Sequence, residues 1–228
     1  MKKYFSTVIF LTTGFMYGFS QTIPIPNYAL KSHPTLEISK VELLTEQTVI
    51  YLTVENRIEG GNFCTDRNIY LIDSNGEKLK LTKSSGIPVC PDNYRFKTIG
   101  EKLSFVLTFP PLNQGVKCID IIEECSDNCF SFYGVILDAD LNKRIDDAFF
   151  LAENDEPGIA LARFINIAEE TFDRNLGTEA LIYINIIKLA SQEGNDSKAE
   201  EWYDKLKSSG IPGLKMYLNN LNSQGIKY

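Results

Sequence analysis

NIYLIDSNGEKLKLT, residues 68–82, decides the fold of the first half of this chain. Its two arms, 68–73 and 77–82, carry alternating apolar residues and flank Ser74-Asn75-Gly76. Asn-Gly accepts the left-handed backbone of a tight turn and is the strongest short hairpin signal in a sequence. The stretch therefore predicts an antiparallel β-hairpin.

Similar strand patterns extend on both sides of this hairpin, and Pro-rich residues 22–34 predict an extended lead-in. About seven short strands, with turn residues about every ten positions, are typical of a β-sandwich. We predict an antiparallel sandwich of immunoglobulin type over residues 21–137. The further predicted strands are 36–41, 48–54, 103–109, 118–123 and 130–137.

The apolar spacing changes after residue 137. Residues 138–147 are mostly polar, so a linker is predicted over 138–156. From Pro157 onward the apolar residues follow a helical period, with a first face at Ile159, Ala162, Ile165, Ile167 and Ala168. Further helices are predicted on either side of Gly194 and from about Gly213 to Leu221, so 157–228 form a small helical bundle. The fold class is α+β.

The N-terminus predicts export. Lys2 and Lys3 precede a short apolar stretch, and small residues Gly18 and Ser20 follow it, which is typical of a secretory signal peptide over residues 1–20. Without these residues the net charge falls from −7 to −9, because two lysines are lost. Such an acidic chain is not expected to bind nucleic acid. No later apolar run predicts a membrane span. We expect a periplasmic or secreted protein.

All five cysteines lie between residues 64 and 129. In an exported chain such a cluster favours disulfides over metal or catalysis. We favour Cys125–Cys129 across a hairpin turn and Cys64–Cys90 as a second bridge, which leaves Cys118 unpaired. A zinc site is the alternative, but the sequence has no paired CxxC and its only histidine is His33.

The polar residues do not form a recognisable catalytic pattern. His33 lies between Ser32 and Pro34 in the lead-in, without a nucleophile motif nearby. The acidic run that starts at Asp138 lacks the glycine and glutamate of an EF-hand, because Lys143 and Phe149 occupy those positions. We therefore expect no catalytic residues, no metal and no cofactor, and a protein that is not an enzyme.

Three aromatic residues are candidates for binding. Tyr94 and Phe96 follow the Cys90-Pro91 turn, and Trp202 precedes Tyr203 on a predicted helix. Exposed aromatic side chains stack on sugar rings or anchor protein partners. We expect Trp202 to be partly exposed or to lie between the domains.

The strand half resembles an Ig-like domain found at the N-terminus of secreted proteins from one group of Gram-negative bacteria. This resemblance covers about half the chain and implies a fold and export, but no activity. Some relatives continue into a thioredoxin-like domain, whereas this chain has no CxxC and no cysteine after 129. The matching segments are 73–76 with Leu79 and Leu81, 85–88, 105–112, 119–123 and 132–135.

The helical half resembles one degenerate tetratricopeptide repeat, with a plain helical hairpin bundle as the alternative. One repeat does not bury a continuous core, so flanking helices at 157–172 and 213–222 would complete it. The resemblance rests on Tyr183, Ile186, Ile187 and Ala190 in one helix, Gly194 in the turn, Ala199, Tyr203 and Leu206 in the next helix, and Pro212 at the exit.

These observations predict an exported, non-enzymatic protein that binds a protein or peptide partner as a scaffold or adaptor. The alternative is a carbohydrate-binding module that uses Tyr94 and Phe96 of the sandwich.

Overall fold

A computed structural model describes residues 20–170 and 177–228. The predicted signal peptide therefore lies outside the described residues, apart from Ser20. Among the described residues, strands are followed by helices. The strands are β1 (Gln21–Pro24), β2 (Leu30–Lys31), β3 (Leu36–Leu43), β4 (Thr48–Glu55), β5 (Asn62–Phe63), β6 (Ile69–Asp73), β7 (Lys78–Lys80), β8 (Lys83–Ser85), β9 (Tyr94–Arg95), β10 (Lys102–Phe109), β11 (Cys118–Glu123) and β12 (Ser131–Ile136). The helices are α1 (Ala139–Glu153), α2 (Pro157–Glu170), α3 (Glu179–Gln192), α4 (Asp196–Ser208) and α5 (Leu214–Ser223).

The strands form two five-stranded antiparallel sheets and a small two-stranded one. The first sheet has the order β1-β3-β4-β10-β8, and the second has the order β2-β12-β11-β6-β7. Their inner faces share one apolar core, to which Ile50 and Leu107 contribute from the first sheet and Leu71 and Phe132 from the second. The two sheets thus pack face to face, as in other sandwiches.

The hairpin predicted at Asn75-Gly76 is confirmed. β6 and β7 pair antiparallel, with Leu71 opposite Leu79. Gly76 has φ 81°, a left-handed conformation that favours glycine. Asp73 fixes the turn, because its Oδ1 accepts hydrogen bonds from the backbone N–H groups of Asn75 (2.9 Å) and Glu77 (2.8 Å).

The lead-in is more ordered than its sequence predicts. β1 pairs with β3 at the edge of one sheet, and β2 pairs with β12 at the edge of the other. Pro24 is tolerated in β1 because β1 is an edge strand. Proline has no backbone N–H to donate, and an edge strand pairs with a neighbour on one side only. The two strands contain only four and two residues, which is too short for an alternating pattern to be recognised in the sequence.

The helices form a second core of their own. Consecutive helices pack on each other, and α5 packs on α3 and α4. Residues of the second sheet also contact this core, namely Leu30, Tyr133 and Ile136. The helical half therefore lies on the outer face of the second sheet. Among the described residues, no helix combines the length and the apolar character needed to cross a membrane.

The linker predicted over 138–156 is wrong for most of its length, because α1 occupies it. Asp138 caps the helix, since its Oδ1 accepts hydrogen bonds from the N–H groups of Asp140 and Leu141 at 3.0 Å. Leu141, Ile145 and Ala148 are buried at helical spacing. Charged residues between them concealed this period, and only the turn at 154–156 separates α1 from α2.

The helix that begins at Pro157 is confirmed, but its predicted buried face is shifted. Ile159 is 52% exposed, and Ala162 also faces solvent. The buried face contains Ala160, Leu161, Phe164, Ile167 and Ala168. α2 contacts both α1 and α3, so its buried stripe is wider than the single face predicted.

A buried asparagine joins the two halves. Asn142 of α1 is 5% exposed, and its Nδ2 donates a hydrogen bond to the carbonyl oxygen of Ile136 (2.9 Å). Its Oδ1 accepts one from the backbone N–H of Asn27 (2.7 Å). The Asn27 side chain donates to Asp146 as well (2.8 Å). The lead-in, β12 and α1 are thus held at one point.

We expect Asn142→Ala to lower the free energy of unfolding by about 2–3 kcal/mol, because it leaves the Asn27 N–H and the Ile136 carbonyl without their partner. Urea denaturation would measure the loss. Asn166→Ala, at an exposed position of α2, is the matched control and should change the stability by less than about 0.5 kcal/mol. Equal effects from the two substitutions would show that this contact does not join the halves.

Candidate functional site

The four cysteines that the sequence places in bridges form two disulfides. Cys64 is bonded to Cys90, and Cys125 is bonded to Cys129 across the turn between β11 and β12. Cys118 is free and buried. Two disulfides indicate an oxidising, exported environment.

Trp202 does not have the exposed ring expected of a binding residue. Its side chain is 3% exposed and packs edge-on against Tyr183 of α3, with ring centroids 5.1 Å apart. Lys205 covers it as well, with Nζ 3.8 Å from the ring centroid. On the neighbouring face of α4, Tyr203 packs against Tyr228. Because α4 is covered on both of these faces, both aromatic side chains are buried.

Tyr94 and Phe96 do not form a flat platform either. Their rings meet at 74° with centroids 5.2 Å apart, and Phe96 is 8% exposed. The Tyr94 hydroxyl donates a hydrogen bond to Glu101 (2.6 Å). The pair therefore lacks the exposed, parallel faces on which the carbohydrate-binding alternative depends.

The strongest candidate site is a cavity of about 240 Å³ between the second sheet and the helices. Its walls come from both halves of the chain, so neither half forms it alone. Its volume is below the about 300–1,000 Å³ typical of small-molecule sites, and suits a group the size of a side chain. Its lining is Ile72, Asp73, Ser74 and Gly76 near the first hairpin, Cys118, Ile119 and Asp120 of β11, and Gly177, Glu179, Gly210, Ile211, Pro212 and Tyr217 from the helical half.

An irregularity in the sheet positions the acidic residue of this cavity. The register between β11 and β12 shifts next to Asp120, where Gly134 has φ 66°. The N–H of Gly134 donates a hydrogen bond to Asp120 Oδ1 at 2.7 Å. Bulges of this kind redirect side chains and are frequent beside functional sites. The bulge thus holds Asp120 on the outer face of the sheet, toward the helices.

On the helical side of the site, the backbone at Gly177 lies close to Cys118 of β11. A Cβ atom added to Gly177 would lie 3.2 Å from Cys118 Sγ, and Gly177 has φ +78°. Only glycine fits both the left-handed backbone and the short distance to the thiol. Gly177 precedes α3, and Glu179 lies in the first turn of that helix. The start of α3 therefore rests directly on β11.

Burial raises the pKa of three groups that line the cavity, Cys118, Asp120 and Tyr217. Burial raises the pKa of the Cys118 thiol, and the charges of Asp120 and Glu179 raise it further. Burial also raises the pKa of Asp120, although the hydrogen bond from Gly134 partly offsets this effect. The pKa of Tyr217 is raised by burial and then by the charge of Asp120.

This arrangement favours binding over covalent chemistry. A nucleophilic cysteine needs a lowered pKa and a neighbouring base, whereas the Cys118 pKa is raised. His33 packs against Phe63 of β5, with ring centroids 5.3 Å apart, and does not line the cavity. Within the described residues, no group of three or more His, Cys, Asp or Glu side chains is arranged to hold a metal ion.

Sequence reasoning did not group the cavity residues, although it singled out Cys118 as the cysteine left over and Tyr217 as one of several aromatic residues able to stack on a ligand. The available signal was the alternation in β11, which places Cys118 and Asp120 on the same face of the strand. A carboxylate on an outer face is ordinarily solvated, so the pattern alone does not predict a cavity. Comparison with protein-family models, with curated proteins and with solved structures finds no match for this chain.

We expect Asp120→Asn to stabilise the protein increasingly as the pH rises from about 4 to 7, relative to the unaltered chain. Because burial raises the folded-state pKa of Asp120, the folded protein binds more protons than the unfolded chain above the unfolded pKa. Rising pH therefore removes stability from the unaltered chain, and the asparagine variant escapes this loss. Urea denaturation at several pH values would measure the difference.

Asp138→Asn is a control of opposite sign. Burial of Asp138 is outweighed by hydrogen bonds from Lys117 and from the backbone at the start of α1, so its pKa is lowered. The stability that it contributes is present above the unfolded pKa and is lost as the pH falls. Asparagine also caps helices, so the comparison isolates the charge. The same pH dependence in both variants would contradict the assignment of Asp120.

Proposed function

We propose that this chain is a periplasmic or secreted, non-enzymatic protein that binds a protein or peptide partner, and that the partner inserts a side chain into the cavity between its two halves. The observation that carries the proposal is the cavity itself. It is lined by residues from both halves, and its volume of about 240 Å³ can hold a side chain. The disulfides support export.

We further propose that the sandwich is Ig-like and that the helices are TPR-like. Two packed antiparallel sheets support the first assignment. Two successive helical hairpins, α1–α2 and α3–α4, followed by α5, support the second. Both architectures commonly serve as binding scaffolds, so they are consistent with an adaptor role.

Site-specific photo-crosslinking would test the proposed site. Ser74, in the β6–β7 turn, lines the cavity, whereas Glu46, in the β3–β4 turn, is exposed on the other sheet. A photoreactive residue at each position would be introduced into the exported full-length chain in its own compartment. We expect one discrete crosslinked product from position 74 and none from position 46. Identical products from both positions, or no product from position 74, would overturn the proposal.

A substitution that fills the cavity gives a second test. Ile211 is 7% exposed and lines the cavity, so Ile211→Trp would occupy part of its volume. The crosslink from position 74 should weaken in this variant, while circular dichroism and the melting temperature establish that the chain is folded. A crosslink of unchanged intensity would show that the partner does not enter the cavity.

A further inference from the structure

The proposed site contains a tyrosine hydroxyl that takes part in none of the hydrogen bonds among the described residues. Tyr217 is 2% exposed, and no hydrogen bond joins its hydroxyl to the described residues. Tyr217 lines the cavity, and its hydroxyl lies within electrostatic range of Asp120 and Cys118, which line it too. The hydroxyl can both donate and accept a hydrogen bond, so it can contact a polar group that enters the cavity.

Asp120 can also accept further hydrogen bonds through its Oδ2 atom. Its Oδ1 accepts the N–H of Gly134, and none of the described residues donates a hydrogen bond to Oδ2. A carboxylate can accept several hydrogen bonds at its two oxygens. A donor group in the cavity would find an acceptor in Asp120 and a second polar partner in the Tyr217 hydroxyl.

The charge of the lining selects the kind of donor. Asp73, Asp120 and Glu179 are acidic, and the described lining contains no lysine, arginine or histidine. Two turn N–H groups already engage Asp73, whereas the charge of Asp120 acts on both Cys118 and Tyr217. A cation in the cavity would be attracted by the Asp120 carboxylate.

The apolar part of the lining suits an aliphatic stem. Ile211 is 7% exposed and lines the cavity together with Pro212. A lysine side chain combines such a stem with a compact ammonium group that has three donors. Its stem would contact Ile211 and Pro212 while its head group reaches the carboxylate and the hydroxyl.

We propose that the cavity binds an alkylammonium group, with Asp120 as the anionic partner and the Tyr217 hydroxyl as the second polar contact. This inference rests on the proposed function, and it specifies the side chain that the partner contributes. A free aliphatic amine carries the same group, so the experiment must separate the two sources.

Titration calorimetry with the mature full chain provides the test, using three probes. Nα-acetyl-lysine N-methylamide carries the cation, Nα-acetyl-norleucine N-methylamide is its neutral match, and n-butylammonium represents a free amine. We expect the lysine probe to bind about tenfold to hundredfold more tightly than the norleucine probe, as for a charge-assisted hydrogen bond. Equal affinity of the lysine probe and n-butylammonium would assign recognition to the amine alone, whereas tighter binding of the lysine probe would indicate a peptide source.

Two variants locate the binding. Asp120→Asn should weaken the lysine probe about tenfold and leave the norleucine probe unchanged. Tyr217→Phe removes only the hydroxyl and should weaken the lysine probe severalfold, which keeps the test decisive if the first variant folds poorly. Bound lysine probe should also slow alkylation of Cys118 by iodoacetamide.

The inference is overturned if the norleucine probe binds as tightly as the lysine probe, or if no probe binds. It is also overturned if both variants bind the lysine probe as the unaltered chain does. Crosslinking from position 74 decides the proposed function separately, because it does not depend on the charge of the inserted group.

Discussion

We expect Phe132→Ala to lower the free energy of unfolding by about 3–5 kcal/mol, the largest effect of any single substitution considered for this chain. Phe132 lies in β12 and is fully buried in the sandwich core. Its ring packs edge-on against Tyr28, with centroids 5.2 Å apart. Truncation removes this contact and leaves a cavity that the two sheets cannot close.

Phe150→Ala is the matched control for this prediction. Phe150 lies on α1 and is 65% exposed, so the same chemical change should cost less than about 0.5 kcal/mol. Urea denaturation followed by far-ultraviolet circular dichroism would compare the two variants. A loss at Phe150 as large as that at Phe132 would mean that α1 buries its outer face against something else, contrary to the fold described above.

The second large effect is expected from removal of the Cys64–Cys90 disulfide. This bridge closes a loop over a sequence separation of 26 residues. In the chain-entropy account, a loop of this length stabilises the folded state by about 3.5 kcal/mol, because it restricts the unfolded chain. The double variant Cys64→Ala with Cys90→Ala should lose that amount in denaturation under oxidising conditions.

The Cys125–Cys129 bridge gives the internal comparison. It spans a separation of only 4 residues, so the same account assigns it about 2 kcal/mol. The corresponding double alanine variant should therefore be the more stable of the two. A reversed order would show that native contacts around the short bridge, such as the one between the Cys125 N–H and Cys129 Sγ, outweigh loop entropy.

The elements that could be predicted from the sequence are those with a strong local signal. β4, β10 and β12 have strong alternation or high β-propensity, and the hairpin at Gly76 has an explicit turn signal. α1 was missed because its first turns are dominated by acidic and basic residues. Its period emerges only when Leu141, Ile145 and Ala148 are compared with one another.

The candidate site was much less predictable than the fold. Cys118 and Tyr217 are about a hundred positions apart, and tertiary packing alone brings them to one cavity. Trp202 shows the reverse case, in which the sequence suggested a binding residue that the fold buries. The contact with Tyr183 on a neighbouring helix buries it. Local sequence patterns do not predict how one half of the chain packs against the other.

The central claim is that the helices and the sandwich enclose one site at Cys118, and thiol titration tests it most directly. The oxidised mature protein should give one reactive thiol when denatured, because four cysteines are bridged. In the native state that thiol should react slowly, since Cys118 is 3% exposed beneath Gly177. Five thiols after denaturation, or a native Cys118 that reacts as fast as in the denatured chain, would contradict the account.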